Sequence, residues 1–147
     1  MDRGVAVALT AAAGGLIALQ APINSTLGRS VGTFQAAFVS FVVGTIALAV
    51  VASLARGGLG QLGEIRGLPW HYLIGGLLGA VYVSTVLVTV RHLGASGVTA
   101  ATIAGQLTLA VIVDQFGWLG VDRQPISLPR VVGILLLVAG VALVVRD

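Results

Sequence analysis

GVAVALTAAAGGLIALQAPINSTLG, Gly4–Gly28, is 25 residues without a charged side chain. A helix needs about 20 apolar residues to cross the hydrocarbon core of a bilayer. Four more uncharged stretches follow: Ser30–Ala55, Gly67–Val90, Leu93–Val113 and Val131–Val145, of 26, 24, 21 and 15 residues. Together they nearly fill the chain. The reading is an all-α, polytopic membrane protein with five transmembrane helices, expected at 4–27, 33–54, 71–90, 96–119 and 130–145, in one transmembrane domain over 1–147. An odd number of spans puts the two termini on opposite sides of the membrane.

Composition supports this and excludes other classes. The chain is 57% hydrophobic and 9% charged, whereas a soluble domain carries about 25% charged residues. That much apolar surface does not fit inside one soluble core of this size. The formal charge is +3 and every basic side chain is Arg. These arginines stand singly near helix ends, where they act as interfacial anchors. A basic cluster with stacking aromatics, which nucleic-acid binding would need, is missing. The chain has no Cys, so thiolate metal sites and disulfides are excluded. His71 and His92 lack metal-ligand spacing, and no cofactor is implied. Arg3 ahead of an apolar run loosely resembles a signal peptide, but the run has full span length and ends in LQAPIN rather than at a small-residue cleavage site. It is read as the first helix.

Pro22 is expected to kink the first helix near its end. The short link GRSVG makes the first two helices a tight antiparallel hairpin. Phe34, Phe38, Phe41 and Thr45 form a packing or lipid-facing stripe on the second. Ala55–Pro69, with Arg56 and Gly57, is the longest loop, with room for a short interfacial piece. Trp70, His71 and Tyr72 sit where an aromatic belt belongs. Gly75 and Gly79 allow close helix approach on the third helix. On the fifth, Gly133 and Gly140 with Leu136, Leu137, Leu143 and Val144 suit dimer packing, and Arg130 and Arg146 are expected to snorkel outward. Arg3, Arg56, Arg66, Arg123 and Arg130 fall on one side and Arg29, Arg91 and Arg146 on the other. The five-to-three bias favours a cytoplasmic N-terminus and leaves room for insertion in both orientations.

Polar groups at membrane depth are costly, so they point to function. The first helix carries Gln20 and Asn24, one turn apart. The fourth carries Thr99, Thr102 and Gln106 at helical spacing, and then Asp114, about 80° around the helix from Gln106. Asp114 is the only acidic side chain in any expected span. The cost of holding a charge there makes it a candidate proton carrier, or a structural partner for an Arg. Gln20, Asn24 and Gln106 are candidate substrate ligands or interhelical hydrogen-bond glue. Tyr82, with Ser84 and Thr85 behind it, is a weaker lining candidate.

These residues carry a family resemblance. QAPINSTLGRSVGTFQAAFVSFVVGT at Gln20–Thr45 and AGQLTLAVIVDQFGWLG at Ala104–Gly120 resemble the YdcZ-like family of the drug/metabolite transporter superfamily. GGLLGAVYV at Gly75–Val83 and LPRVVGILLLVAGVALV at Leu128–Val144 fit the same pattern, so the resemblance spans nearly the whole chain. One departure is TVRHLG at Thr89–Gly94, where a proline-containing turn is expected before the Leu-Gly pair. There Arg91 is a loop anchor or part of a cavity mouth. The resemblance implies half of an inverted-repeat transporter, with a site near the midplane between repeats. On this resemblance it would be completed by an antiparallel homodimer or a paralogue heterodimer in a bacterial inner membrane. The expected activity is proton-coupled export of a small molecule by alternating access. A passive pore and an assembly subunit needing a paralogue are the alternatives. An enzyme is not expected, because no nucleophile–base pair or metal cluster is visible. The absence of Lys and the 21 Gly point to a GC-rich bacterium.

Overall fold

The computed structural model describes residues 2–55 and 58–146. Arg56 and Gly57, part of the expected long loop, lie outside the described residues. The chain is all-α, and no strand occurs among the described residues. Helix α1 is Arg3–Val31 and α2 is Thr33–Leu54. The segment Gly75–Phe116 is helical on both sides of Gly94, whose φ of 67° and ψ of 172° are not helical. Unbroken, 42 residues would reach about 63 Å, twice a ~30 Å hydrocarbon core. Gly94 therefore separates two spans, α3 (75–93) and α4 (95–116). Helix α5 is Leu128–Val145. All five expected spans are present as helices.

Helix α3 begins at Gly75, four residues later than expected, because Trp70–Leu73 forms a 3-10 turn; three other ends also differ from expectation in instructive ways. Helix α1 runs unbroken through Pro22 and past Gly28 to Val31. A proline in a membrane helix removes one hydrogen bond, here to the Ala18 carbonyl, without ending the helix. The chain turns on Gly32 alone, with φ 98° and ψ 150°, a backbone region almost confined to glycine. Helix α4 stops at Phe116, three residues early, because Gly117 adopts the left-handed conformation (φ 65°, ψ 34°) that commonly ends helices. Helix α5 begins two residues early. Pro129 lies in its first turn, where a missing N–H costs nothing and the fixed φ suits the helix. The 18 residues of α5 then span about 27 Å, close to the bilayer's need. Between α2 and α3, the loop is a 3-10 helical stretch, Gly58–Gly67, and a 3-10 turn, Trp70–Leu73. Trp70 and Tyr72 are exposed on either side of His71, with ring centroids 6.2 and 4.6 Å away from it.

The chain forms two compact units, one ending at Arg91 and the other starting at His92. In the first, α1 and α2 pair antiparallel. Gly28 lies against Ala36, and Asn24 one turn lower meets Ser40. The α1 face is Ala21, Asn24, Ser25 and Gly28, all buried, and their spacing of three and four residues puts them on one stripe. Ala36 and Ala37 are buried opposite. These small residues let the two backbones approach closely. Helix α3 adds Val83 and Leu87, which with Ala36 and Ala37 form a cluster flanked by Leu27 and Tyr82. Gly79 lies under the Phe41 ring, 3.4 Å from where its Cβ would be. Gly75 has open space around it. Phe34 and Phe38 are exposed, while Phe41 covers Gly79.

In the second unit, Gly97 near the start of α4 lies against Val145 at the end of α5. Asp114 near the end of α4 meets Arg130 near the start of α5. The two helices are an antiparallel pair. The faces around Gly133 and Gly140 are open, with nothing within 4 Å of either Cβ position.

Gly32→Ala is expected to destabilise the protein by about 1–3 kcal/mol. Gly14→Ala, in a helix with open space, is expected to stabilise it by up to about 1 kcal/mol. Thermal unfolding in detergent micelles distinguishes the two.

Candidate functional site

The polar residues fall into two groups, one in each unit. In the first, Asn24 is 5% exposed, and its Nδ2 donates to Ser40 Oγ at 3.1 Å. Helix pairing fixes this contact, because Asn24 belongs to the small-residue stripe that α1 turns toward α2. Ser25 is buried beside it. The amide thus bonds across the α1–α2 contact. One turn further, Arg91 at the end of α3 reaches the start of α2, its Nη2 donating to Thr33 Oγ1 at 3.3 Å. The same nitrogen is 3.3 Å from the Cβ position of Gly28, so a side chain at 28 would displace it. Arg91 therefore anchors the end of α3 to the α1–α2 turn. Near the departure at Thr89–Gly94, the helix is interrupted at Gly94 itself, after the position where a proline-containing turn was expected.

Tyr82 is half-buried against the α1–α2–α3 cluster. Thr85 Oγ1 donates to the Val81 carbonyl of its own helix at 2.9 Å. Gln20, about 5 Å beyond the midpoint of α1, is exposed. Its side chain has no hydrogen-bond partner in its own unit among the described residues. Helical spacing made Gln20 and Asn24 neighbours, but their surroundings are opposite.

In the second unit, Asp114 is the centre of a polar clasp. Arg130 Nη1 donates to Asp114 Oδ2 at 3.4 Å, and the two side chains are 32% and 33% exposed. Arg130 Nη2 also donates to Gln124 Oε1. The backbone N–H of Gln124 donates to the Asp114 carbonyl at 2.8 Å. Arg123 Nε donates to the Gln115 carbonyl at 3.0 Å, and the Ile126 N–H donates to Gln115 Oε1 at 2.6 Å. The bonds to the Asp114 and Gln115 carbonyls satisfy groups that the end of α4 leaves free. The left-handed turn at Gly117 brings the strap back under the helix, with Arg123 Cβ 3.4 Å from the Gly117 Cβ position. Arg130 does not snorkel away as a free anchor; it turns to Asp114.

Asp114 is also nearer the end of its helix than expected. With α4 ending at Phe116, it lies about 3 Å from the helix end. Gln106 is at mid-helix and exposed, again without a hydrogen-bond partner in its own unit among the described residues. Thr99 and Thr102, on the same helix, are half-buried. No group of three metal-ligating side chains occurs among the described residues.

Arg130, Gln115, Gln124, Ser40 and Thr33 were not singled out as site residues by the sequence reading. Helical periodicity relates residues within one helix. It gave no signal for a loop that folds back beneath one.

Comparison with known proteins agrees with the resemblance in the sequence. Residues 5–143 match the model of the family described as "Putative inner membrane exporter, YdcZ". The chain is 28% identical over 147 residues to "Inner membrane protein YdcZ" of Escherichia coli strain K12, covering 99% of this chain and 98% of that protein. No solved structure matches.

If the Asn24–Ser40 bond holds α1 to α2, a double-mutant cycle of Asn24→Ala and Ser40→Ala should return a coupling of about 0.6 kcal/mol, the average for such bonds in a membrane. Unfolding in mixed micelles measures it.

Proposed function

This chain belongs to the YdcZ family of inner-membrane exporters, and we propose that it exports a small molecule in exchange for protons, by alternating access, as an antiparallel dimer. The observation that carries the reading is the state of Asp114. It is the one acidic side chain on a described span, it is one-third exposed, and a single 3.4 Å contact holds it. Charge-assisted bonds to carboxylates are normally about 2.7–2.9 Å. A carboxylate held this loosely is free to exchange its partner for a proton or a cationic substrate. Gln20, Asn24 and Gln106 are the proposed substrate-binding groups, with Tyr82 as a weaker candidate.

Two features support the dimer. Gln20 and Gln106 are exposed near mid-helix, without a hydrogen-bond partner in their own units among the described residues, and such an amide costs several kcal/mol in lipid. A water-filled path between two copies relieves that cost. The open faces at Gly133 and Gly140 on α5 suit close helix contact between copies. Depth along the helices favours antiparallel copies. Asn24 lies about 10 Å beyond the midpoint of α1, and Asp114 about 13 Å beyond that of α4. If α1 and α4 cross in opposite senses, as the first and fourth of five spans do, the two residues approach opposite membrane faces. An inverted second copy puts its Asn24 at nearly the depth of Asp114.

Asp114→Asn in proteoliposomes is expected to abolish transport driven by a pH gradient while leaving unfolding within about 1 kcal/mol of wild type, the scale of a partly exposed ion pair. Unchanged proton-driven transport would remove Asp114 from the mechanism. Because the chain has no Cys, cysteines placed singly at 24 and 114 can be cross-linked without background. Efficient 24–114 links between subunits are expected. Links restricted to 24–24 and 114–114 would fit parallel copies instead and sink the antiparallel arrangement.

A further inference from the structure

The clasp around Asp114 has an asymmetry that the transport reading does not use. Arg130 has two engagements, one nitrogen on Asp114 Oδ2 and the other on Gln124 Oε1. Asp114 has only one side-chain contact, through a single oxygen; Oδ1 has no hydrogen-bond partner in its unit among the described residues. The pair can therefore open on the carboxylate side while Arg130 keeps Gln124. Arg130 is also the third residue of α5, close enough to the membrane surface for its long side chain to find water when released. Asp114 has no such freedom. Its side chain is short, and its backbone carbonyl is tied to Gln124 N–H. Of the other charged groups in the strap, Arg123 is committed to the Gln115 carbonyl and Asp122 is exposed. Arg130 is the cation that faces the carboxylate.

We infer that Arg130 is a tethered counter-ion that occupies, on Asp114, the place a free cation takes during transport. This rests on the reading of Asp114 as the exchanging carboxylate, and it gives that site a substrate class: small monovalent cations with hydrogen-bond donors, of the guanidinium or ammonium type. An uncompensated carboxylate near the membrane is costly. When no cargo is bound, Arg130 removes that cost and keeps the site closed. When a cation arrives, it displaces a partner held by one long contact, and Arg130 retreats onto Gln124 and the interface. Anionic cargo has no place in this exchange, since it would meet Asp114 as a like charge.

The test uses the full chain in proteoliposomes and a reagent rather than a cargo. Dicyclohexylcarbodiimide modifies accessible carboxyls near the apolar phase, and peptide mass spectrometry reads the adduct at Asp114. Arg130→Gln should be modified roughly fivefold faster than wild type, the ratio expected when a partly exposed ion pair is lost. Arg130→Lys, which keeps the charge, should stay near the wild-type rate. In Arg130→Ala, millimolar guanidinium chloride should restore protection, and sodium chloride at equal ionic strength should not. Wild-type labelling rates in Arg130→Gln, or equal protection by the two salts, would overturn the inference. Should Arg130→Gln fail to insert, Gln124→Ala provides a milder variant: it frees Arg130 from its second partner, and unchanged labelling there would count against the clasp. Labelling needs no transport. A chain whose Asp114→Asn variant still transports would refute the coupling reading while leaving the labelling result to stand or fall separately.

Discussion

A bilayer gives the backbone no water to bond with, and the rest of this structure depends on that constraint. Every N–H and C=O at membrane depth must find its partner inside the chain. The chain therefore keeps long helices and confines its departures from helical geometry to a few positions. Gly32, Gly94 and Gly117 all have positive φ and mark the ends of α1, α3 and α4. The intervening spans are long enough to cross, and the α1–α2 connection is reduced to one residue. Pro22 tests the constraint and survives it: one bond to the Ala18 carbonyl is lost, and α1 continues for nine more residues.

Packing follows from the same solvent. Lipid tails are as apolar as Leu, so burying large apolar groups between helices gains little, and close backbone approach takes its place. The α1–α2 contact is built accordingly from Ala21, Asn24, Ser25 and Gly28 against Ala36, Ala37 and Ser40. The large side chains Phe34, Phe38 and Leu48 face outward, the reverse of a soluble protein. Asn24 fits this seam because its amide replaces lost water with Ser40. Gln20, four residues away, is exposed and has no such partner in its unit among the described residues.

Much of the fold was legible because hydropathy and span length are properties of sequence segments taken one at a time. The five spans, the α1–α2 hairpin and the aromatic group at Trp70–Tyr72 needed nothing more. Helix ends were harder. Gly28 and Gly32 are the same residue type four positions apart, yet the first packs inside a helix and the second turns the chain. Only the neighbouring strand of packing, Thr33 and Ala36 against Gly28, separates them. The candidate site was legible as a set of residue types and not as contacts. Asp114 stood out as the lone acid of the spans, while its partner Arg130, 16 residues on, looked like one of several interfacial arginines.

The Asp114–Arg130 pair also resolves an electrostatic conflict in the helices themselves. A helix favours cations at its C-terminal end and anions at its N-terminal end. Asp114 is an anion in the last turn of α4, and Arg130 is a cation in the first turn of α5. Each charge is at the unfavourable end of its own helix. Antiparallel pairing of α4 and α5 brings the two misplaced charges together, so each offsets the other's helix as well as the other's charge. Neither would be placed there for the stability of its own helix, and a neutral pair at these positions would avoid the conflict altogether. The proposed exchange at Asp114 would give the arrangement a physical reason, since it needs a carboxylate for a mobile partner and a cation to stand in when that partner is absent.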